Sequence, residues 1–203
     1  MAEPRRAILL APGPLVATAC KAALPQSDYS LDVIPGGRLY GARDAASMAT
    51  VIELAYPDPD ILLIGDEIFP LAEDKSEALT RGMRLTFLAN KAVLRGMMRR
   101  RFGRIIAFPP RLNDLRVPHA AAVGSLSGFI RSVSREVGSR GVTGNVVAMG
   151  SDDDGTGQLS VYTAVPRAMT STDLAGVVQF LAGENSGYFT GQVLCVDGGL
   201  GLT

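Results

Sequence analysis

The sequence predicts an α/β fold, in which helices cover both faces of a doubly wound parallel sheet. Two observations lead to this prediction. Short apolar runs alternate along the chain with longer segments whose apolar residues recur at helical spacing. The apolar runs are also continuous rather than alternating with polar residues, which is typical of strands buried on both faces of a parallel sheet. The 203 residues contain no repeat or linker, so we expect one domain over residues 1–203.

The predicted strands are apolar runs that end at proline or glycine. They are assigned to residues 5–11, 29–34, 60–65, 103–108, 142–149 and 192–199, with a further short strand at 38–41. The helices between them are assigned to residues 15–24, 45–55, 76–101, 119–138 and 173–183. Asp44 and Thr172 stand where they could cap the helices that follow them.

Charge and cysteine content exclude several classes of function. The chain has 20 Lys plus Arg and 20 Asp plus Glu, so we expect neither nucleic acid nor a membrane as the main partner. Cys20 and Cys195 lie in apolar surroundings and form no CxxC pair, which favours two small buried side chains and a reducing cytoplasm. No apolar run approaches the roughly 20 residues of a membrane-spanning helix.

A metal site is the less favoured of two interpretations of the acidic loop at 151–158. The three carboxylates of residues 152–154 are good ligands for a hard cation. Adjacent side chains on one short loop seldom converge on one ion, however, so a solvated loop is expected and no metal ligand is assigned.

Four stretches resemble the short-chain dehydrogenase/reductase family, in its branch of 3-oxoacyl-acyl-carrier-protein reductases and 3-hydroxyacyl-CoA dehydrogenases. They are DILL (60–63), KAVLRGMMRRRFGRII (91–106), GFIRSVSREVGSRGVTGNVVAMG (128–150) and GVVQFLAGENSGYFTGQVLCVDGG (176–199). The last is specific, because a helix, a Y-x-T-G-Q turn and a V-D-G-G end occur in order. The resemblance begins near residue 44 and implies a Rossmann-like sheet that is truncated in its N-terminal half.

The cofactor positions that the resemblance implies are altered in this chain. The family holds a nicotinamide dinucleotide on a Gly-rich turn after the first strand, where backbone N–H groups reach the pyrophosphate. Here the turn reads APGPLVAT (11–18), and proline supplies no N–H. Where the family has Asn-Asn-Ala-Gly, the chain has Ile64-Gly65-Asp66-Glu67, whose two carboxylates would oppose a pyrophosphate. We therefore assign no cofactor-binding residue and expect NAD or NADP only in a partner subunit.

The catalytic positions are altered too. The resemblance aligns the family's Ser with Pro110, its general-acid Tyr with His119 and its Lys with Val123, and it places the family's helix Asn near Gly82. A reductase needs a proton donor beside the carbonyl oxygen and a hydride donor over its carbon. We assign no catalytic residue. Two alternatives stay open: a divergent NAD(P)-dependent oxidoreductase that uses His119 as its acid, and a binding module that uses the vacated cleft for another ligand.

The stretches that match the family include the helices and the strand through which its members form oligomers. The helices at 76–101 and 119–138 would pair across one two-fold axis, and the helix at 173–183 with the last strand across another. The interface residues assigned on this basis are Ala120, Gly124, Ser127, Gly128, Phe129, Val177, Phe180, Leu181, Val193 and Val196. The small residues among them could instead pack within the same subunit.

The implied function is therefore that of a pseudoenzyme, a non-catalytic subunit. Its partner would be a catalytically active short-chain dehydrogenase paralogue, joined in a heterotetramer that acts on a hydroxyacyl or oxoacyl thioester. Such arrangements are known in the family, one being the heteromeric NAD-dependent dehydrogenase of anaerobic toluene breakdown through benzylsuccinate. No residue of the sequence specifies the substrate.

Overall fold

The computed structural model describes residues 3–55, 58–70, 75–111, 117–150 and 163–200. Six strands form one all-parallel sheet in the order β2-β1-β3-β4-β5-β6. In chain order they are β1 (Arg5–Leu10), β2 (Tyr29–Ile34), β3 (Ile61–Ile64), β4 (Gly103–Ala107), β5 (Val142–Met149) and β6 (Val193–Val196). The predicted parallel α/β sheet is confirmed.

Within the described residues, six helices connect and cover the strands. They are α1 (Pro14–Ala23), α2 (Gly36–Leu39), α3 (Ala45–Ala55), α4 (Lys75–Arg100), α5 (Val117–Val137) and α6 (Ser171–Ala182). The strand predicted at 38–41 is wrong. A single helical turn, α2, closes there through a hydrogen bond from the Tyr40 N–H to the Gly36 oxygen at 3.1 Å, which leaves Leu39 buried in the core. In the described ranges, no helix has the length and apolar character needed to cross a bilayer.

The sheet separates two hydrophobic cores. Helices α3, α4 and α5 pack on one face, where Met48, Leu85 and Leu126 belong to one buried cluster. Helices α1 and α6 pack on the other face, where Val16 and Leu174 belong to the second. Every residue of β3, β4 and β5 is buried because each of these strands is covered from both sides. That is the reason for the uninterrupted apolar runs in the sequence.

The direction of winding reverses between β1 and β3. From β1 the chain moves outward to β2, then crosses back to place β3 on the other side of β1. Open α/β sheets bind ligands in the crevice at the carboxyl ends of the strands at such a switch point. Dinucleotide-binding sheets of the order 3-2-1-4-5-6 have two strands outside the first one. In the described part of this chain β2 alone has that position, so the sheet is shorter on this side.

The sequence predicts Asp44 and Thr172 as helix N-caps, and the structure confirms Asp44 but not Thr172. The Asp44 carboxylate accepts a hydrogen bond from the Ser47 N–H at 2.8 Å and caps α3 as predicted. Helix α6 begins earlier than expected, and its cap is Thr170 rather than Thr172. The reason is a capping box, in which the Asp173 carboxylate accepts hydrogen bonds from both the N–H and the hydroxyl of Thr170.

The two cysteines differ in their surroundings. Cys20 is buried on α1, and this burial, with a smaller contribution from the Asp66 carboxylate, raises the pKa of its thiol to about 12. Cys195 is exposed, so the expectation of two buried cysteines is wrong for this residue. Its strand, β6, lies at the edge of the sheet, where a strand has a neighbour on one side.

Gly141 provides a test of the turn into β5. Its φ is 75°, and a Cβ added there would overlap the backbone oxygen of Arg101. Gly138, in the same turn, has no atom within 4 Å of an added Cβ. We expect Gly141→Ala to lower the free energy of unfolding by about 1–3 kcal/mol, and Gly138→Ala to change it by less than about 0.5 kcal/mol. Urea denaturation of both variants measures the difference, and equal losses would contradict the assignment.

Candidate functional site

The candidate site lies at the switch point, where three loops meet at the carboxyl ends of β1, β3 and β4. Residues 11–13 follow β1, residues 65–70 follow β3, and residues 108–111 follow β4. The loop after β3 begins with a 3-10 turn over Asp66–Ile68. In this class of fold, these loops would surround the nucleotide.

The loops after β1 and β3 are hydrogen-bonded to each other. The Gly65 N–H donates to the Leu10 oxygen at 2.7 Å, and the Glu67 N–H donates to the Ala11 oxygen at 3.0 Å. Ala11 has a φ of 43°, in the left-handed region that costs a residue with a Cβ roughly 1–2 kcal/mol. The cross-loop hydrogen bonds hold this conformation, so the two walls of the crevice are joined.

Asp66 occupies the position at which this fold usually binds an anion. Its carboxylate accepts a hydrogen bond from the Gly13 N–H at 2.7 Å, at the start of α1, and the residue is 9% exposed. A helix N-terminus attracts negative charge because its first N–H groups are free and its dipole is positive there. The Nε of Arg111, which follows β4, lies 3.9 Å from the second carboxylate oxygen. The chain thus supplies its own anion to α1 and a cation that offsets it.

The two prolines of this loop leave few donors for an external anion. Pro12 and Pro14 carry no backbone N–H, so Gly13 has the one N–H of residues 12–14. Asp66 accepts that hydrogen bond. An added Cβ at Gly13 would lie 2.8 Å from the same carboxylate, which shows how closely Asp66 packs against the backbone. The Gly13 N–H could therefore donate to an external anion only if the Asp66 carboxylate moved.

Phe69 occupies a second part of the cleft. The resemblance places the family's helix Asn near Gly82 on α4, and a Cβ added at Gly82 would overlap the Phe69 ring. Phe69 is 2% exposed and belongs to the core beneath α3, α4 and α5. An aromatic ring from the loop after β3 therefore fills the space that a polar side chain on α4 would need.

The remaining catalytic positions hold residues of other types than the family's. Pro110 is buried in the loop after β4, and it has no hydroxyl. His119 is half-buried in the first turn of α5, the position at the helix start that the sequence indicated. Val123 follows one turn later and is half-buried. Pro110 and Val123 thus place neither a hydroxyl nor a charged side chain at these positions.

The sequence does not predict two contacts of this site. It indicates that the Asp66 carboxylate would oppose a pyrophosphate, but it does not predict the hydrogen bond that Asp66 accepts from Gly13. The sequence feature that could have indicated this bond is an acidic residue directly after β3 together with the Pro-Gly-Pro stretch after the neighbouring strand β1. The Phe69 ring had no signal in the sequence, because an alignment shows which side chain is absent at Gly82 and not which one replaces it.

The small residues assigned to the interface lie mainly on an open face of α5. Ala120, Gly124 and Gly128 are exposed, and a Cβ added at either glycine would meet no atom within 4 Å. Ser127 is half-buried, and its hydroxyl donates to the oxygen of Val123 one turn earlier at 2.7 Å. The Ser127 side chain therefore packs within its own subunit, whereas Ala120, Gly124 and Gly128 leave room for another helix to approach.

Aromatic side chains border both assigned surfaces. On α5, Phe129 is half-buried and meets the exposed Phe87 of α4 edge-to-face, with ring centroids 6.4 Å apart. On α6, Phe180 is exposed and meets Phe189 in the same way at 5.7 Å. Tyr188, beside Phe189, is fully exposed.

The other assigned residues of α6 and β6 are more enclosed. Val177, Val193 and Val196 are half-buried, each packing partly against the core of its own subunit. Leu181 is 1% exposed and lies within the core beneath α1 and α6. The exposed part of this surface is therefore the aromatic cluster on α6 and its following turn.

An open cavity of about 520 Å³ lies away from the switch point, beside β6 and the start of α6. Arg167 and Asp173 form a two-pronged ion pair in its wall, with N–O distances of 2.7 and 2.6 Å. That pair, with the Thr170 hydrogen bonds, holds the pKa of the Asp173 carboxyl well below its usual range. The acidic residues 152–154 lie outside the described residues, and the described side chains contain no group of three or more potential metal ligands.

The Asp66 contact predicts a loss of stability on mutation. Asp66→Ala leaves the buried Gly13 N–H without its acceptor, so the free energy of unfolding should fall by about 1–3 kcal/mol. Asp66→Asn keeps an acceptor oxygen and should lose less. Glu67→Ala is the matched control, because its side chain is exposed and its loss should be within about 0.5 kcal/mol. The measurement is urea denaturation, and an Asp66→Ala variant as stable as the Glu67→Ala variant would disprove the contact.

Comparison with known proteins identifies the family. The family described as "Enoyl-(Acyl carrier protein) reductase" matches residues 72–201. The 3-oxoacyl-[acyl-carrier-protein] reductase FabG of Escherichia coli is 33% identical over 208 residues, covering 91% of this chain and 84% of that protein. The Salmonella typhimurium protein of the same name is 33% identical over 198 residues, covering 86% and 80%. The match, the parallel sheet and the signature after α6 lead to one conclusion: the chain belongs to the short-chain dehydrogenase/reductase family.

Proposed function

We propose that this chain is a non-catalytic subunit of the short-chain dehydrogenase/reductase family, a pseudoenzyme. It assembles in the cytoplasm with a catalytically active paralogue, in a heterotetramer, and stabilises that partner. The partner carries the NAD or NADP and performs the oxidoreduction. Because the similar proteins are named as reductases of 3-oxoacyl groups on acyl carrier protein, we propose an oxoacyl or hydroxyacyl thioester as the substrate of the complex.

The position of the Asp66 carboxylate carries this proposal. A dinucleotide binds this class of fold through its pyrophosphate at the N-terminus of the first helix. Here the Gly13 N–H at that terminus donates to Asp66 at 2.7 Å, inside the protein. Displacing Asp66 would break this hydrogen bond and would also bring two negative groups together. Both effects oppose cofactor binding.

The catalytic positions support the same conclusion independently of the cofactor. An acid that protonates a substrate oxygen must lie within hydrogen-bond reach of it and have a suitable pKa. The family's Ser and Lys positions hold Pro110 and Val123, neither of which can hydrogen-bond to a substrate through its side chain. The Phe69 ring against Gly82 removes the space for the helix Asn. Replacement of the family's catalytic side chains at several separate positions is expected of a chain that does not perform the reaction.

The exposed apolar side chains support a role in assembly. Phe87 is 52% exposed beside the glycines of α5, and Phe180 and Phe189 are 41% and 40% exposed beside α6. These clusters lie on opposite sides of the sheet, because α4 and α5 cover one face and α6 the other. Exposed apolar patches of this kind mark protein interaction sites. Two patches on opposite faces suit an assembly with two kinds of two-fold contact, such as a tetramer.

Stabilisation of the partner follows from mass action. A protein that binds the folded form of another, and not its unfolded form, stabilises it by an amount that grows with concentration. Each subunit would cover apolar surface on the other, so the assembled pair should be more stable than either chain alone.

Calorimetry of the purified chain tests the absence of cofactor binding. Titration with NAD, NADH, NADP and NADPH at millimolar concentration should give no saturable heat, because Asp66 accepts the Gly13 N–H and the prolines leave few other donors for a pyrophosphate. An active family member serves as the positive control, and circular dichroism shows that the sample is folded. Saturable dinucleotide binding, with turnover by this chain alone, would instead establish the divergent oxidoreductase that uses His119.

Co-expression tests the assembly. The chain should co-purify with a family member that carries the Ser, Tyr and Lys, and the melting temperature of that member should rise in the complex. A chain that stays a stable monomer beside every active paralogue of its source would refute this part of the proposal.

A further inference from the structure

Strand β2 forms one edge of the sheet and carries none of the features that usually block such an edge. Within the described residues it pairs with β1 alone, and the pairing is unbroken from Tyr29 to Ile34. Natural edge strands are commonly protected by lysine, proline or a β-bulge. The sequence of β2, YSLDVI, contains no lysine or proline, and Asp32 is its one charged residue. This edge is therefore able to accept another strand.

The backbone hydrogen bonds of β2 show which of its groups face the open edge. The Arg5 N–H of β1 donates to the Asp28 oxygen at 2.9 Å, directly before β2 begins. In a parallel ladder, every second residue directs both its N–H and its C=O to the same neighbouring strand. The even-numbered residues of β2 thus bond to β1, and Tyr29, Leu31 and Val33 direct their backbone groups outward.

Most of these outward groups have no hydrogen-bond partner among the described residues. The exception is the Tyr29 N–H, which donates to the Pro25 oxygen at 3.0 Å. The N–H groups of Leu31 and Val33, and the oxygens of all three outward residues, are left for an added strand. The Val33 side chain is 37% exposed, so this end of β2 is open to solvent.

A second copy of β2 complements this edge when it runs antiparallel and the two Leu31 residues lie opposite each other. Each Leu31 N–H then donates to the oxygen of the other Leu31, and each Val33 N–H donates to the partner's Tyr29 oxygen. All the outward N–H groups that are open on β2 are used in this register. Tyr29 also faces the partner's Val33, and an aromatic side chain opposite a β-branched one is a favourable cross-strand pair.

The two neighbouring registers are less favourable. A shift that places Ser30 opposite the partner's Ser30 puts Val33 opposite Ser27, which lies outside the strand, so the Val33 N–H loses its acceptor. A shift in the other direction places Asp32 opposite the partner's Asp32, and like charges directly opposite each other are destabilising. The register centred on Leu31 therefore combines hydrogen bonding with compatible side chains.

Charge complementarity favours the same register. On the face of the sheet covered by α3, α4 and α5, Arg6 of β1 is the register neighbour of Ser30. The register centred on Leu31 places the partner's Asp32 directly beyond Ser30. Arg6 and the partner's Asp32 then lie two strand spacings apart, about 10 Å between Cα atoms. The small serine between them lets an extended arginine side chain approach the carboxylate, and two-fold symmetry repeats the pair.

We infer that two copies of this chain associate through β2, antiparallel and centred on Leu31, so that their sheets join into one continuous sheet. The partner's β2 takes the place that a further strand has in dinucleotide-binding sheets of the order 3-2-1-4-5-6. The inference goes beyond the proposed function, because this contact uses neither the α5 surface nor the α6 surface. Strand β2 also lies outside residues 72–201, which match the family.

Disulfide trapping tests the register directly. Chains with Ser30→Cys and chains with Asp32→Cys are prepared in a Cys195→Ser background, which removes the exposed native thiol. In the proposed register these positions form a non-hydrogen-bonded pair with Cα atoms about 4.5 Å apart, a separation that a disulfide can span. Under mild oxidation, the mixture should form at least tenfold more linked dimer than either variant alone. Equal linking in all three samples, or preferential linking of one variant to itself, would contradict the register.

Hydrogen exchange of the wild-type chain tests the contact without any substitution. The Leu31 and Val33 amides should become at least tenfold more protected as the chain concentration is raised. The Ser30 and Asp32 amides bond to β1 and serve as the internal control, since they should be protected at every concentration. Rapid exchange of Leu31 and Val33 at all concentrations would overturn the inference.

A proline substitution removes one outward donor. Val33→Pro eliminates an N–H at the open edge and should weaken self-association at least tenfold, as measured by sedimentation velocity. Val33→Thr keeps the N–H and the β-branched shape, so its self-association should stay within about twofold of wild type. Equal association of the two variants would count against the pairing of β2, provided that circular dichroism shows both to be folded. If Val33→Pro does not fold, the disulfide and exchange measurements decide.

The same measurements separate this contact from the proposed function. Protection of Leu31 and Val33 that appears only when an active paralogue is added would assign the edge to that paralogue and overturn the inference. A chain that forms the trapped dimer but binds NAD saturably and turns over substrate alone would keep this contact and refute the proposed function.

Discussion

The hydrogen bond from the Gly13 N–H to the Asp66 carboxylate joins the two loops on which this fold normally builds a nucleotide site. It places a negative group at the start of α1, where the helix dipole and free N–H groups favour one. Two backbone hydrogen bonds between the same loops surround it. A ligand that needs this position must compete with a group that is covalently part of the protein. Because that group is always present at high effective concentration, a weakly held external anion is at a disadvantage.

The fold does not depend on the candidate site, because the two involve different residues. The sheet is held by the apolar strands and the two cores, and β3, β4 and β5 are buried throughout. The loops at the carboxyl ends also contribute to those cores. Phe108, after β4, belongs to the core beneath α1 and α6, and Ile68 and Phe69, after β3, belong to the core beneath α4. The Phe69 side chain, packed against Gly82, therefore contributes to the stability of the fold.

Most of the fold could be predicted from the sequence, because strands buried on both faces and amphipathic helices have distinct patterns. The exceptions are short or local. Residues 38–41 are too few to show whether their apolar side chains recur at helical or strand spacing, and the chain forms a helical turn there instead of a strand. Thr172 and Thr170 are equally good caps by residue type, and the choice depends on where the Asp173 carboxylate reaches. The exposure of Cys195 depends on β6 being the edge strand, which sequence order does not determine.

The site could be predicted in part. The residue types at Pro110, His119 and Val123 can be read from the sequence alone, and they show which functional groups stand where the family has its Ser, Tyr and Lys. What fills the cleft depends on contacts between residues far apart in the sequence, Gly13 with Asp66 and Phe69 with Gly82. The most direct test of this account is a crystal structure of the chain grown with millimolar NADH. We expect the Asp66 carboxylate to accept the Gly13 N–H, the Phe69 ring to lie against Gly82, and no dinucleotide to be bound at α1. A loop after β3 displaced from the cleft, with a pyrophosphate over residues 11–16, would contradict it.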